Sequence, residues 1–166
     1  EFTLVAPQQF QLSTGSTVFF FRTPGIEAVK LEVIGASSRS TLSNLHALIP
    51  SLSLQMLQEG TTNANAQQLA EFFDYHGAEV YPTLNYTQEG LNLLCIKKHL
   101  NALLPTFISL FTEAIFPEDN LEKRKSQREL SLKLDQEKPS SRAGQLFKKG
   151  LFGPEHPYGQ EITETH

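Results

Sequence analysis

The chain has 166 residues, of which 39% are hydrophobic, and its formal net charge is −4. This length and composition suffice for one domain with an apolar core. The acidic balance argues against a nucleic-acid-binding surface. No run of about 18 apolar residues occurs, so no transmembrane helix is predicted. The one cysteine, Cys95, excludes an intramolecular disulfide, and its apolar neighbours predict a buried thiol.

The first half of the chain predicts three strands and two helices. Residues 8–23 alternate around a turn, which is typical of a β-hairpin, and residues 29–34 alternate as a third strand. Residues 41–58 carry apolar side chains at helical spacing, and Pro50 should kink or restart this helix. Asn65 opens a second helix, which Gly77 ends.

The second half predicts two more strands, at residues 79–84 and 90–96, and three more helices. The helices are expected over residues 97–114, from Pro117 to about residue 133, and from Pro139 through residue 147, with a loop at residues 152–159. This order implies an α+β fold, with one mostly antiparallel sheet and helices packed on one face.

A catalytic motif without its catalytic residues lies at residues 51–61. Its tail, Met56-Leu-Gln-Glu-Gly-Thr61, resembles the segment that follows the zinc motif His-x-x-Glu-His in the M16 metallopeptidases, the family of insulinase, pitrilysin and mitochondrial processing peptidase. On that pattern the two histidines fall on Ser51 and Gln55, and the catalytic glutamate falls on Leu54. Other segments resemble the family in the same order, at residues 15–21, 33–39, 66–77 and 151–159. The resemblance implies that residues 1–166 form an M16 N-terminal-like domain, a fragment of a longer chain with a second similar half.

The resemblance also implies a third zinc ligand, a glutamate, whose position falls on Ser131. A catalytic zinc needs about three imidazole or carboxylate ligands and an open position for water, and a nearby glutamate serves as general base. Serine hydroxyls and carboxamides are poor zinc ligands, and leucine cannot accept a proton. No cofactor is therefore expected here, although active relatives hold zinc.

A substrate-binding edge strand is implied at Tyr81, Pro82 and Thr83. In active relatives the matching strand adds the substrate peptide as an extra strand. Proline has no N–H to donate, so Pro82 would weaken such pairing. It would equally protect an edge strand from unwanted association, and the sequence leaves both interpretations open.

The implied function is that of a non-catalytic M16 subunit, which completes a peptide-binding chamber as a heterodimer with an active zinc peptidase. One alternative is an active zinc endopeptidase with a displaced metal site, built for example from His46 and Glu59. Another is a self-associating scaffold that binds peptides without a catalytic partner. The resemblance points to the bacterial periplasm or cell envelope.

Overall fold

The strands form two antiparallel sheets. The computed structural model describes residues 6–35, 47–85 and 87–162. A hairpin is formed by β1 (Gln8–Gln11) and β2 (Thr17–Phe20). The second sheet has the order β3-β5-β4, formed by β3 (Ala28–Gly35), β4 (Glu79–Leu84) and β5 (Glu89–Ile96). In the described part of the chain the predicted strands are therefore all present, but the hairpin does not join the three-stranded sheet.

The described helices follow the predicted order. They are α1 (Ile49–Met56), α2 (Ala66–Tyr75), α3 (Leu100–Thr112), α4 (Glu118–Glu137) and α5 (Pro139–Phe152). Pro50 lies in the first turn of α1, where its missing N–H would have no helical partner. Of the predicted helix at residues 41–58, the structure describes α1, which begins at Ile49 and ends at Met56, and residues 41–46 lie outside the described residues. Both α4 and α5 end later than the sequence predicted.

One apolar core joins α1, α2 and α3 to the same face of the three-stranded sheet. On the central strand β5, the alternating residues Leu91, Leu93 and Cys95 are buried and belong to this core. Helix α3 contributes Phe107, which is fully buried. Cys95 is buried, as predicted, and this burial raises the pKa of its thiol.

A capping box fixes the start of α2. The Asn65 side chain accepts a hydrogen bond from the backbone N–H of Gln68, and the Gln68 side chain accepts one from the backbone N–H of Asn65, each at 3.0 Å. We expect Asn65→Ala to lower the free energy of unfolding by about 1 kcal/mol, measured by urea denaturation. The control Gln67→Ala, on the exposed face of the same turn, should change it by no more than about 0.5 kcal/mol. Equal losses in both variants would contradict the capping role.

Candidate functional site

Helix α1 carries three of the four positions that the sequence analysis assigned to a degenerate zinc motif. Ser51 and Gln55 lie four residues apart, so both side chains project from one helical face. Both residues are half-buried. The Ser51 hydroxyl donates a hydrogen bond of 2.9 Å to the backbone carbonyl of Leu48, in the turn that precedes the helix. Ser51 therefore stabilises the start of α1.

Leu54, at the position of the catalytic glutamate, is part of the apolar core. Its side chain is only 6% exposed. It belongs to the same cluster as Leu69 and Phe73 of α2 and the buried residues of β5. Burial of a leucine side chain contributes about 1.5–3 kcal/mol. This position thus contributes packing energy where a peptidase would need an ionisable group.

Ser131, at the position of the third ligand, lies on α4, which packs against α1. The structure thus brings together the two helices that carry all four positions. Glu129, two residues away, does not replace the missing carboxylate. It is exposed and accepts a hydrogen bond of 2.7 Å from Lys133. That hydrogen bond and the positive charge of Lys133 hold the pKa of Glu129 below its usual value.

A polar network that the sequence analysis missed joins α4 to the segment after α1. Glu59 is 12% exposed at its side chain, and its Oε1 accepts hydrogen bonds from Nε (2.7 Å) and Nη2 of Arg124. Its Oε2 accepts a hydrogen bond of 2.8 Å from Asn120. Both carboxylate oxygens of Glu59 are therefore engaged, which leaves this residue poorly placed to serve in a displaced metal site.

We expect Glu59→Gln to lower the free energy of unfolding by about 1–3 kcal/mol, because a half-buried guanidinium would lose its charged acceptor. Urea denaturation of Glu59→Gln, Arg124→Gln and the double variant measures the coupling. The matched control is Glu122→Gln, which breaks an exposed pair with Lys125 and should change stability by about 0.5 kcal/mol or less. Additive effects of the two single variants would show that the pair does not hold α4 in place.

The side chains at the four positions do not suit a zinc ion. Two hydroxyls, one carboxamide and one apolar side chain replace the imidazoles and carboxylates that zinc prefers. Within residues 6–35, 47–85 and 87–162, no three His, Cys, Asp or Glu side chains are grouped so that they could hold a metal ion. His46, the other residue considered for a displaced site, lies outside the described residues.

The predicted substrate-binding residues lie on β4, an edge strand among the described strands and a neighbour of α1. Pro82 is exposed, whereas Tyr81 and Thr83 are half-buried. The Thr83 hydroxyl accepts a hydrogen bond from Asn92 on β5 and donates one of 3.1 Å to Glu32 on β3. This polar ladder of hydrogen bonds thus joins Asn92, Thr83 and Glu32 across the sheet, and the Thr83 hydroxyl both accepts and donates within it.

Asn92 is the residue of this ladder that the sequence could have indicated. It is a single polar residue inside the apolar run Leu91-Asn-Leu-Leu-Cys95, and it is fully buried. Its Nδ2 also donates to the backbone carbonyl of Tyr81 at 3.2 Å. The Nδ2 hydrogen bonds link β5 to β4 at Tyr81 and Thr83, whereas the Oδ1 of Asn92 is buried without a hydrogen-bond donor in the described part of the chain, which offsets part of this stabilisation.

Residues 56–61, the segment that resembles the tail of the M16 zinc motif, have a structural role. Met56 is 1% exposed, and Thr61 is buried. Gly60 has a φ of +151°, a backbone conformation that residues with a Cβ rarely adopt. A Cβ at Gly60 would also lie 3.2 Å from the side chain of Ile115. This segment therefore packs the end of α1 against Ile115, which follows α3.

Comparison with known structures shows which fold the chain adopts. The chain superposes over 96% of its length on the crystal structure of the peptidase M16 inactive domain from Pseudomonas fluorescens, with a TM-score of 0.82 and 22% identity, and covers 39% of that chain. It superposes over 99% of its length on the periplasmic protease PqqL from Escherichia coli, with a TM-score of 0.76 and 11% identity, and covers 18% of that chain. In its fold the chain is an M16-like half-domain, which confirms the predicted fold class.

A curated relative points the same way. The chain is 25% identical over 161 residues to the uncharacterized zinc protease YmxG of Bacillus subtilis (strain 168), a match that covers 95% of this chain and 38% of that protein. No family profile matches the sequence. Because the chain spans less than two fifths of the length of these relatives, the activity, substrates and partners of the whole protein are proposals.

The described helices give no candidate for a membrane span. Among the residues that the structure describes, none of them combines the length and the apolar character needed to cross a bilayer.

Proposed function

We propose that the chain is a half-domain of a non-catalytic M16 subunit, which completes a peptide-binding chamber together with an active zinc peptidase. The observation that carries this proposal is the loss of all three ligands and of the general base at Ser51, Leu54, Gln55 and Ser131. Two of these side chains, which cannot bind zinc or accept a proton, have structural contacts instead. Ser51 bonds the helix start, and Leu54 packs in the core.

The contact between α1 and α4 supports the same proposal. In an active relative, a zinc ion would join these two helices through the positions of Gln55 and Ser131. Here Glu59, just after α1, is bound by Arg124 and Asn120 of α4. The protein thus has a metal-free link between the two segments. We infer that the half-domain keeps the arrangement of a peptidase while holding no catalytic zinc.

A peptide-binding role rests on the position of β4. This edge strand packs beside α1, so a peptide paired with it would run past the motif helix. Pro82 offers no N–H at its own position. Because the backbone groups of successive strand residues point to opposite sides, the N–H groups of Tyr81 and Thr83 cannot replace it on the same edge. We propose that Tyr81, Pro82 and Thr83 contact peptide, and that pairing is weaker at Pro82 than along the rest of the strand.

The proposal for the partner and the compartment rests on the relatives alone. One structural relative is described as an inactive M16 domain and the other as a periplasmic protease. We therefore propose a heterodimer with an active M16 subunit in the bacterial periplasm or cell envelope.

Two experiments on the full-length protein test this function. Purified alone, the protein should not cleave an unstructured fluorogenic peptide, with or without added zinc. After native pull-down from its host, the complex should contain a homologue with an intact His-x-x-Glu-His motif and should cleave the peptide in a chelator-sensitive way. Chelator-sensitive cleavage by the protein alone would favour a displaced metal site. Recovery of only the protein itself would favour a self-associating scaffold.

A further inference from the structure

Helix α5 turns its apolar side chains away from the rest of the described chain. Leu146, Phe147 and Leu151 recur at the spacing of one helical face, and they are 64%, 69% and 62% exposed. The residues of α5 that are half-buried, Ser141 and Gln145, are polar. No residue of this helix is buried by the described part of the chain. Because an amphipathic helix normally buries its apolar face, this face, the α5 stripe, calls for a further contact.

Two small residues lie on the same face as the α5 stripe. Ala143 lies one turn before Phe147, and Gly150 lies one turn after it. A Cβ at Gly150 would meet no atom within 4 Å in the described part of the chain. Glycine disfavours a helix interior, so its presence here suits the close approach of another backbone. Small residues between larger ones form the grooves into which a second helix packs.

The charges beside the α5 stripe indicate what kind of segment fits it. Helix α5 contains no carboxylate, and its charged residues are Arg142, Lys148 and Lys149. At helical spacing Lys148 lies at one border of the stripe, and Arg142 and Lys149 lie at the other. Two copies that met through this face would bring these cations together, which argues against self-association. A segment with acidic residues beside its own apolar face would be complementary.

We propose that the α5 stripe is the docking surface for an amphipathic helix, acidic beside its apolar face, which the same protein supplies from its chain after residue 166. This inference rests on the proposal that the half-domain belongs to a longer chain. The relatives have the necessary length, since this chain spans less than two fifths of each. Residues 158–162 line one cavity together with Leu146. A segment that follows them would therefore start beside α5, at a high effective concentration.

The test is the reaction of introduced thiols with a maleimide in the purified full-length protein. Phe147→Cys places a thiol in the stripe, and the matched control Lys149→Cys places one at its cationic border. Each rate is divided by the rate of the same variant unfolded in urea, which corrects for intrinsic reactivity. We expect Phe147→Cys to react about tenfold or more slowly than Lys149→Cys, because its thiol is accessible only when the docked helix opens. Equal rates would overturn the proposal.

The same measurement separates the other possible occupants of the stripe. Protection of Phe147→Cys that disappears on dilution would assign the stripe to a second copy of the protein. Protection only with phosphatidylglycerol vesicles would assign it to a lipid surface, and protection only in the native complex would assign it to a partner subunit. Each of these results would overturn the proposal. None depends on zinc or on peptide cleavage, so a failure here is distinguishable from a failure of the proposed function.

A second variant, Gly150→Leu, serves if the cysteine variants do not fold. On an exposed helix face leucine is a better helix former than glycine, so the substitution would raise the midpoint of urea denaturation. Against a closely packed helix the larger side chain would force the two helices apart and lower the midpoint. We expect a lower midpoint in the full-length protein, and a higher one would overturn the proposal.

Discussion

Replacing Leu54 by glutamate, the residue that an active M16 peptidase carries there, is expected to lower the free energy of unfolding by about 3–5 kcal/mol. The variant loses the packing of a side chain that is 6% exposed and places a carboxyl group among Leu69, Phe73 and the buried residues of β5. Urea denaturation of the full-length protein measures this loss. The conservative control Leu54→Met should cost less than about 1.5 kcal/mol.

The pH dependence of this loss distinguishes a buried carboxyl from a simple packing defect. Burial would raise the pKa of the introduced carboxyl group above its unfolded value of about 4.3. Above that value the unfolded chain releases the proton while the native state retains it, so stability falls as the pH rises. The loss relative to wild type should therefore be smaller at pH 4 than at pH 7. A loss that is small, or independent of pH, would contradict the placement of Leu54 in the core.

The variant Ser51→His, Gln55→His, Ser131→Glu is expected to bind about one zinc ion per chain, where the wild type binds none. Two imidazoles four residues apart on α1 can reach one ion, and a carboxylate on α4 can approach from the adjacent helix. Elemental analysis after dialysis measures the zinc. Cleavage of peptides should remain absent, since Leu54 cannot act as a general base.

The matched control moves one histidine by two residues, in the variant Ser53→His, Gln55→His, Ser131→Glu. Side chains two residues apart point to different faces of a helix, and Ser53 is exposed. This control should bind zinc far more weakly. Equal zinc content in the two variants, or none in either, would show that the three ligand positions were assigned wrongly.

Much of the fold could be predicted because its signals are local. The capping residue Asn65 and the stop at Gly77 bracket α2, and alternation of apolar residues indicated β3. The late end of α4 could not be predicted, because its last turn is mostly polar and lacks the apolar spacing that reveals a buried face. Helix α5 continues through Gly150, a residue that disfavours helix, to Phe152. In the described residues β1 and β2 do not join the main sheet. This separation depends on packing between distant segments, and the alternation of apolar residues along one strand does not show which strands pair.

The contacts of the candidate site could not be predicted from the sequence. The spacing of Ser51, Leu54 and Gln55 can be read from the chain because one short helix carries them. Glu59 and Arg124 are 65 residues apart, and nothing in either neighbourhood marks them as partners. The link from Asn92 to Thr83 depends likewise on strand register, which forms only when β4 pairs with β5.

The most direct test of the central claim, that the M16-like half-domain holds no catalytic zinc, is the zinc content of the purified full-length wild-type protein. Elemental analysis should follow dialysis in buffer that contains no chelator. The account predicts far less than one zinc ion per chain. Stoichiometric zinc that is lost when His46 or Glu59 is replaced would contradict it and would assign to this protein a working metal site in a new position.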